Sequence, residues 1–439
     1  MRNSKNKFLL FVALMFAVLL SGACGIFQPA QTKTIATSVP SAAPLTSDDV
    51  ATDNAIRFLE NKVKNDPEDF SAHNKLAMHY LRLAREKDDD SYLELAARSA
   101  RLSLQSVPVE RNFGGLYALA QYEQATHNFP VARDHARQLI KLSPGKIEPY
   151  LLLGDALLEF GDYEEATAVF QNLRQTKGSN AEIETRLARL SVLRGDNAQA
   201  KNHFSNALAI ALDSSYPSRD AVAWCRWQLG EIAFATGDYE TAENHYRDAL
   251  TTYPDYTSAL ASQARVRAAR DDLPKAIEIY EQIVKRSPHP EHMAALGDYY
   301  RLAEREADAD AQYGSVEEAA RDSAHDNRLL ALFYADHEIN AEEAYARAKK
   351  EYELRHDIYT ADAVGWTALK AGKISEAQTA IKDALRLGTK DARLFYHAGM
   401  IARAAGDEVA SRDFLRRALE LNPKFDLLQA EIAKKLLGN

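Results

Sequence analysis

Residues 150–170 read YLLLGDALLEFGDYEEATAVF, and their pattern decides the fold. Apolar residues at helical spacing place Gly154 on one stripe, a break follows at Gly161, and a second stripe carries Ala166 and Phe170. Two antiparallel helices cross closely only where the side chains at the crossing are small, and Gly154 and Ala166 satisfy that condition. The stretch therefore predicts a helix–turn–helix hairpin.

The same pair of small residues recurs along the chain, in many cases at steps of about 34 residues. Residues that match Gly154 are Ala77, Ala120, Ala188, Gly230, Ala264, Gly297, Gly365 and Gly399. Residues that match Ala166 are Ala96, Ala132, Ala200, Ala242, Ala276, Ala309, Ala344, Ala377 and Ser411. One unit departs, because the position that is small in the other first helices falls on Leu332 or, after a shift of one residue, on Ala331.

This pattern resembles the tetratricopeptide repeat family, whose motif is W-x2-L-G-x2-Y…A-x3-F…P. Gly154 and Ala166 match the motif outright, and the resemblance runs from about residue 48 to the end of the sequence. It implies an all-α fold: an α-solenoid of about ten helix-turn-helix repeats, with an N-terminal half repeat and a C-terminal capping helix.

The solenoid is expected over 48–439, with a half repeat that carries Ala55 and Leu59 and ends at Pro67. In the repeat that starts at 290, the second helix is poorly marked after Gly314. The repeats are expected at 70–111, 113–146, 147–180, 181–222, 223–256, 257–289, 290–324, 325–357, 358–391 and 392–425, with a cap at 426–439.

The turns inside the repeats have a common chemistry. A glycine follows the first helix, where a left-handed residue closes a helix at little steric cost, in five repeats: Gly161, Gly195, Gly237, Gly372 and Gly406. The next residue is often an aspartate that can cap the second helix, as at Asp162, Asp196, Asp238 and Asp407.

Residues 1–23 have the order of a secretory signal: a basic start, the apolar run FLLFVALMFAVLL, and small residues before Cys24. This order resembles a bacterial lipoprotein signal. The resemblance implies lipidation of Cys24, and an ordinary cleaved signal peptide with an incidental cysteine is the alternative. Residues 24–47, rich in Ser, Thr, Pro and Ala, are expected to tether the solenoid to a membrane. Because Gly25 replaces the aspartate that retains such proteins in the inner membrane, the outer membrane of a diderm envelope is favoured.

Composition excludes several classes of function. The formal net charge is −9, and an acidic protein is a poor ligand for nucleic acid. The sequence lacks phosphate-binding glycine loops and the H-E-x-x-H zinc motif, so no cofactor, metal or catalytic residue is expected. If Cys24 is lipidated, Cys225 has no cysteine with which to form an internal disulfide.

The resemblance implies a concave groove lined by the first helices, and arginine and aromatic residues dominate binding at such surfaces. Alternatively, the aromatic residues cover the contacts between repeats and the arginines are solvated. The candidate groove residues are Asn74, Gln121, Gln124, Asp155, Arg189, Trp227, Glu231, Arg265, Asp298, Arg301, Phe333, Asp362, Trp366, Tyr396, Met400 and Arg403.

These features predict a non-catalytic, lipid-anchored scaffold that binds a protein or peptide in its groove, within the bacterial cell envelope. The alternative is a module that binds a glycan or small ligand through the groove aromatics. An enzyme is a third class, motivated only by carboxylates and arginines such as Asp298 and Arg301 in one groove. The identity of the partner and the oligomeric state stay open.

Overall fold

The computed structural model describes residues 49–87, 89–320 and 327–438. Within these ranges the chain forms twenty-two α-helices and a short 3-10 turn, with no β-strand. The expected signal segment, Cys24 and the tether at 24–47 lie outside the described residues. None of the described helices is both long enough and apolar enough to cross a membrane.

Ten pairs of antiparallel helices follow one another in the described residues, and neighbouring pairs pack on each other; the seventh and eighth pairs do so through Met293, Val316 and Phe333. The first helices of the pairs are α2 (Phe70–Lys87), α4 (Phe113–Ala125), α6 (Glu148–Phe160), α8 (Ala181–Leu193), α10 (Arg219–Ala235), α12 (Thr257–Ala269), α14 (Pro290–Leu302), α16 (Asn327–Asp336), α18 (Ile358–Lys370) and α20 (Ala392–Ala404). The second helices are α3 (Ser91–Ser106), α5 (Phe129–Leu142), α7 (Tyr163–Lys177), α9 (Asn197–Leu212), α11 (Tyr239–Thr252), α13 (Leu273–Arg286), α15 (Glu306–Ala320), α17 (Ala341–Leu354), α19 (Ile374–Ala384) and α21 (Glu408–Leu421).

Among the described residues, a single helix flanks the ten pairs on each side. Helix α1 (Asp49–Asn65) packs on α2, and α22 (Leu427–Leu437) packs on α21. The arrangement is the α-solenoid of about ten repeats, half repeat and capping helix that the sequence predicts, and the prediction of the fold is confirmed.

The glycines of the first helices permit the close crossing. A Cβ atom added to Gly154 would lie 2.3 Å from the ring of Phe170, on the second helix of the same pair. The same addition at Gly230 would lie 2.4 Å from the ring of Tyr246. Because real Cβ atoms do not approach neighbours so closely, a larger residue would push the two helices apart.

The irregular eighth repeat differs from its neighbours in its turn. Ala331 is fully buried and stands midway between Gly297 and Gly365, so it is the small first-helix residue, and Leu332 is only partly buried. Helix α16 ends at Asp336 and α17 begins at Ala341, which leaves one more residue in this turn than between α14 and α15. The shift of one residue therefore belongs to the turn and not to the first helix.

The second helix that the sequence marks poorly after Gly314 is present in the structure. Helix α15 starts at Glu306 and continues through Gly314 to Ala320. A Cβ atom at Gly314 would meet nothing within 4 Å, so this glycine makes no close crossing. Backbone hydrogen bonds are sufficient to keep a single glycine inside a helix, although its intrinsic helix propensity is low.

The turn chemistry largely follows the expectation. The five predicted turn glycines all have positive φ, between 71° and 82°. The side chains of Asp196, Asp238 and Asp407 accept hydrogen bonds from the first turns of their second helices. Asp162 makes no such side-chain hydrogen bond, so the expected cap is missing there.

The solenoid coils far enough for distant parts of the chain to touch. The hydroxyl of Tyr163 accepts a hydrogen bond from the backbone N–H of Ile358 at 2.9 Å. Tyr239 donates to the Oδ1 atom of Asn422 at 2.5 Å, and the Nδ2 atom of Asn422 donates to the carbonyl of Phe234 at 2.7 Å. Three pairs of segments meet in this way: 160–163 with 355–358, 193–195 with 388–391, and 234–239 with 422–424. We call them together the inter-coil contact.

Candidate functional site

The predicted groove residues all lie on first helices, which form one surface of the array. Asn74 is on α2, Gln121 and Gln124 on α4, Asp155 on α6, Arg189 on α8, Trp227 and Glu231 on α10, Arg265 on α12, Asp298 and Arg301 on α14, Phe333 on α16, Asp362 and Trp366 on α18, and Tyr396, Met400 and Arg403 on α20. We call this the inner surface.

Charged residues on the inner surface pair between neighbouring repeats. Arg186 Nη2 lies 2.7 Å from Asp155 Oδ2, and Arg265 Nη2 lies 2.6 Å from Glu231 Oε1. Burial opposes the ionisation of Glu231, but the guanidinium of Arg265 and hydrogen bonds from Tyr246 and Ser262 outweigh it, so the pKa of Glu231 is lowered. The inner surface thus neutralises part of its own charge.

At Asp155 the effect of burial on the pKa exceeds the effect of the neighbouring arginine. Burial raises the pKa of Asp155 even though Arg186 holds it with three hydrogen bonds of 2.7 to 3.1 Å. Since the carboxylate and the guanidinium are both largely removed from water, the pair fixes α6 against α8 and leaves little of either group for a ligand.

The aromatic residues of the inner surface are buried between repeats. Trp227 is 5 % exposed, and its Nε1 atom donates to Ser262 Oγ at 2.9 Å. Trp366 is 2 % exposed, donates to Asp336 Oδ1 at 2.8 Å, and stacks on His397 with the ring centroids 4.2 Å apart. These rings therefore stabilise the stacking of repeats, and their faces are covered.

Three further polar candidates are also buried or bonded within the array. Asn74 donates to Asn112 Oδ1 at 2.8 Å, and Asp362 lies 2.9 Å from His397 Nδ1. Gln121 is 8 % exposed.

The most exposed charged residues of the inner surface are three arginines and one carboxylate. The side chains of Arg265 and Arg301 are 37 % and 39 % exposed, and that of Asp298 is 31 % exposed. Arg403 is exposed near the end of α20. Asp298 accepts a hydrogen bond from Tyr313 at 2.8 Å and lies 2.9 Å from His337 Nε2.

Sequence reasoning missed a buried charge cluster at the inter-coil contact. Arg355 donates from Nη2 to Glu159 Oε2, and its Nε atom lies 3.2 Å from Asp357 Oδ2. Burial raises the pKa of Glu159 despite the adjacent Arg355. At Asp357 burial is outweighed by Arg355 and Arg328, which lower its pKa. No periodic signal marks residues from different coils, so the sequence pattern could not bring them together.

The described residues offer little for covalent or metal chemistry. No group of three or more His, Cys, Asp or Glu residues in the described ranges could hold a metal ion. Burial raises the pKa of Cys225 to about 12, so its thiol is protonated at neutral pH and is a poor nucleophile.

Two protein-family models, both described as tetratricopeptide repeat, match the chain. One matches residues 179–255, and the other matches residues 117–181, 227–289 and 364–424. No curated protein matches the sequence.

Among solved structures, a tetratricopeptide repeat protein from Parabacteroides merdae is similar at 17 % identity and a TM-score of 0.32, covering 62 % of this chain and 99 % of that chain. The structure of MamA is similar at 18 % identity and a TM-score of 0.32, covering 38 % of this chain and 95 % of that chain. Because the matched family segments together cover more than half of the chain, which also has the repeated helix pairs, we identify it as a tetratricopeptide repeat protein.

Proposed function

We propose that the chain is a lipid-anchored scaffold that holds protein partners in the bacterial cell envelope and catalyses no reaction itself. The observation that carries the proposal is the series of ten helix pairs among the described residues, since tetratricopeptide arrays are in general protein-interaction scaffolds. The position in the envelope rests on the lipoprotein-like order of residues 1–24.

The anchor in this proposal is Cys24. Several acyl chains on one N-terminal cysteine hold a protein stably at a bilayer, where one chain would bind only marginally. Residues 25–47 then separate the lipid from α1 by at most several tens of ångströms, roughly 3.3 Å for each residue. The array would stay close to the membrane while its inner surface faced a partner.

The partner in this proposal contacts the accessible arginines of the inner surface, Arg265, Arg301 and Arg403. Arginine binds carboxylates through two parallel hydrogen bonds and contributes strongly to interfaces. A segment of protein that carries acidic side chains fits this chemistry. Asp298 lies beside Arg301 and would exclude a segment with a carboxylate at that point.

A glycan-binding module is not favoured. Binding of a sugar ring by stacking needs an open aromatic face, and Trp227, Trp366 and Tyr396 are at most 5 % exposed. Nor is the carboxylate of Asp298 free to act on a substrate, because it is bonded to Tyr313 and His337.

The partner is tested with the full chain in cells. Crosslinking followed by recovery from solubilised envelope should yield a reproducible partner protein, and a variant with Arg301→Glu and Arg403→Glu should recover much less of it. Arg416→Glu, exposed on the second helix α21, is the matched control and should recover the partner in full. Equal recovery by both variants would exclude the inner surface, and recovery of no protein would contradict the scaffold.

The anchor is tested independently. Cys24→Ser should move the protein from the membrane fraction to the soluble fraction and abolish incorporation of labelled fatty acid. If the unchanged chain is soluble after cleavage, Cys24 is incidental and the segment is an ordinary signal peptide.

A further inference from the structure

A histidine side chain bridges the junction between the seventh and eighth helix pairs. Met293 of α14 and Val316 of α15 belong to the apolar cluster that joins these pairs to Phe333 of α16. A polar contact crosses the same junction, because the Nε2 atom of His337, directly after α16, lies 2.9 Å from the Oδ1 atom of Asp298 on α14. Asp298 belongs to the inner surface, so the contact links the packing of two repeats to the surface proposed to bind a partner.

Both ring nitrogens of His337 face hydrogen-bond acceptors. The Nδ1 atom lies 2.8 Å from the backbone carbonyl oxygen of Phe333, which cannot donate. The Nε2 atom faces the carboxylate oxygen of Asp298 that already accepts a hydrogen bond from the hydroxyl of Tyr313 at 2.8 Å. A neutral imidazole carries one N–H and can satisfy one of these acceptors, whereas the imidazolium carries two. The geometry therefore fits the charged form of His337.

The surroundings of the ring also favour a cation. The side chain of His337 is 9 % exposed, and its ring centroid lies 4.4 Å from that of Tyr313 and 4.5 Å from that of Phe333. Aromatic rings attract a cation placed beside them. Burial alone would lower the pKa of His337, but the hydrogen bond and charge of Asp298, the carbonyl of Phe333 and the charge of Asp336 outweigh it, so the pKa is raised from 6.5.

Further charged and titratable groups surround His337 on several helices. They are Asp298 and Arg301 of α14, Glu306 and Tyr313 of α15, Asp336 at the end of α16, Glu338 in the turn that follows, and Lys370 of α18. The two other cations of this set have carboxylates of their own, since Arg301 lies 3.8 Å from Glu306 and Lys370 lies 2.7 Å from Glu338. The imidazolium is thus the cation that is bonded to Asp298.

We propose that His337 is a pH-sensitive link between the seventh and eighth repeats, and that its proton controls how the inner surface binds an acidic partner. The imidazolium bridges the carbonyl of Phe333 and the carboxylate of Asp298, and it neutralises that carboxylate. When the proton passes to solvent, one of the two hydrogen bonds is lost and the charge of Asp298 stands uncompensated beside Arg301. Because like charges repel, a carboxylate of the partner at Arg301 is then held less tightly.

The link predicts how stability changes with pH. A histidine with a raised pKa binds its proton more tightly in the folded state, so its contribution to stability is fully present below 6.5, the ordinary value, and is lost as the pH rises through the folded-state value. His337→Gln should therefore lower the urea midpoint at about pH 5.5 and change it little at about pH 8.5. The control of binding rests on the function proposed above, whereas the link between repeats does not.

The link is tested by nuclear magnetic resonance of the full chain in detergent, with isotope-labelled histidine. The signal that disappears in His337→Gln, or in His337→Asn if the first variant loses its helical circular dichroism, belongs to His337. We expect it to titrate above 6.5, and Asp298→Asn should lower its pKa because the carboxylate is removed. A pKa of His337 at or below 6.5, or one that Asp298→Asn leaves unchanged, would overturn the proposal, as would an equal loss of stability in His337→Gln at both pH values.

The control of binding is tested with a fluorescent oligoglutamate peptide as the probe. Its carboxylates are ionised at about pH 5.5 and at about pH 8.5, so changes in affinity between these values come from the protein. We expect the affinity of the unchanged chain to be about two- to fivefold higher at the lower pH than in His337→Gln, and the two chains to bind alike at the higher pH.

His135→Gln is the matched control, since His135 lies 2.7 Å from Glu123 within a single repeat and on a second helix. It should keep the pH dependence of the unchanged chain. If His337→Gln keeps that dependence as well, the control of binding by His337 is overturned. Absence of peptide binding at both pH values would contradict the acidic partner of the proposed function and the control of binding with it, while the histidine titration still decides whether the link exists.

Discussion

Arg355 donates a hydrogen bond to Glu159, a residue 196 positions earlier in the chain, and both side chains are buried. In the simplest picture of a solenoid each repeat contacts only its neighbours, and stability is a sum over adjacent pairs. The pair between Arg355 and Glu159 joins the third helix pair to the connection after the eighth. The fold is therefore held by contacts between coils as well as by contacts along the array.

Removal of the arginine should cost much stability. In Arg355→Met, Glu159 keeps its ion pair with Arg189, 3.0 Å away. Asp357 loses the guanidinium that lies 3.2 Å from its carboxylate. Breaking a buried pair in this way costs about 3–5 kcal/mol. We expect urea unfolding, followed by circular dichroism, to show a midpoint well below that of the unchanged chain.

The matched control is Arg286→Met, which removes an exposed ion pair with Asp255 at 2.7 Å. An exposed pair contributes about 0–1 kcal/mol. Equal effects of the two substitutions would show that the inter-coil contact does not stabilise the fold.

Glu291 should make the stability of the fold depend on pH. Burial raises its pKa to about 7, from 4.5, despite the nearby His289, Arg265 and Arg393. A carboxyl with a raised pKa binds its proton more tightly in the folded state, so its contribution to stability is present at low pH and is lost as the pH rises from 4.5 through about 7.

Glu291→Gln removes the charge at every pH. The variant should gain stability over the unchanged chain between pH 5 and pH 8, by about 1–3 kcal/mol. Urea unfolding at both pH values measures the gain. Glu353→Gln, exposed on α17, controls for the loss of one negative charge, and a gain that is the same at both pH values would contradict the assignment to Glu291.

Substitution of two glycines of the solenoid by alanine should change the stability of the fold in opposite directions. Gly154→Ala places a methyl group 2.3 Å from the ring of Phe170 and should destabilise the fold by about 1–3 kcal/mol. Gly314→Ala adds a methyl group inside α15 where nothing lies within 4 Å, and should stabilise it by about 0.5–1 kcal/mol. Thermal unfolding compares the two variants. A loss of stability in both would contradict the conclusion that Gly314 lies inside a helix with open space beside it.

The caps of the second helices also differ in a measurable way. The side chain of Asp196 accepts a hydrogen bond from the backbone N–H of Gln199 at 2.9 Å, and Asp162 makes no such bond. Asp196→Ala should therefore cost about 1 kcal/mol, and Asp162→Ala a few tenths or less. Denaturant midpoints of the two variants test this difference, which the sequence alone does not predict.

Much of the fold follows from local rules that a sequence displays. Small residues such as Gly154 and Gly399 mark helix crossings, and glycines such as Gly161 mark turns, because each meets a steric demand within one repeat. Gly314 shows the limit of such reasoning: a glycine in the sequence does not reveal whether its backbone is helical or left-handed.

The candidate site was less predictable. The register of the repeat places Trp227 and Arg265 on first helices, but their accessibility depends on the neighbouring repeat: Trp227 is buried and donates to Ser262, whereas Arg265 pairs with Glu231 and stays 37 % exposed. The inter-coil contact depends on the accumulated rotation of many repeats. That rotation leaves no periodic mark at Glu159 or Arg355.

The measurement that tests the coiled solenoid most directly is zero-length crosslinking of carboxylates to amines. Lys424 Nζ lies 2.9 Å from Asp271 Oδ1, 153 residues away in sequence, and the two side chains are 28 % and 83 % exposed. Carbodiimide treatment of single chains should join the peptides that carry Lys424 and Asp271, and Lys424→Arg should abolish this link while the link between Lys275 and Glu278 remains. Formation of the Lys275 link without the Lys424 link would contradict the contact between coils.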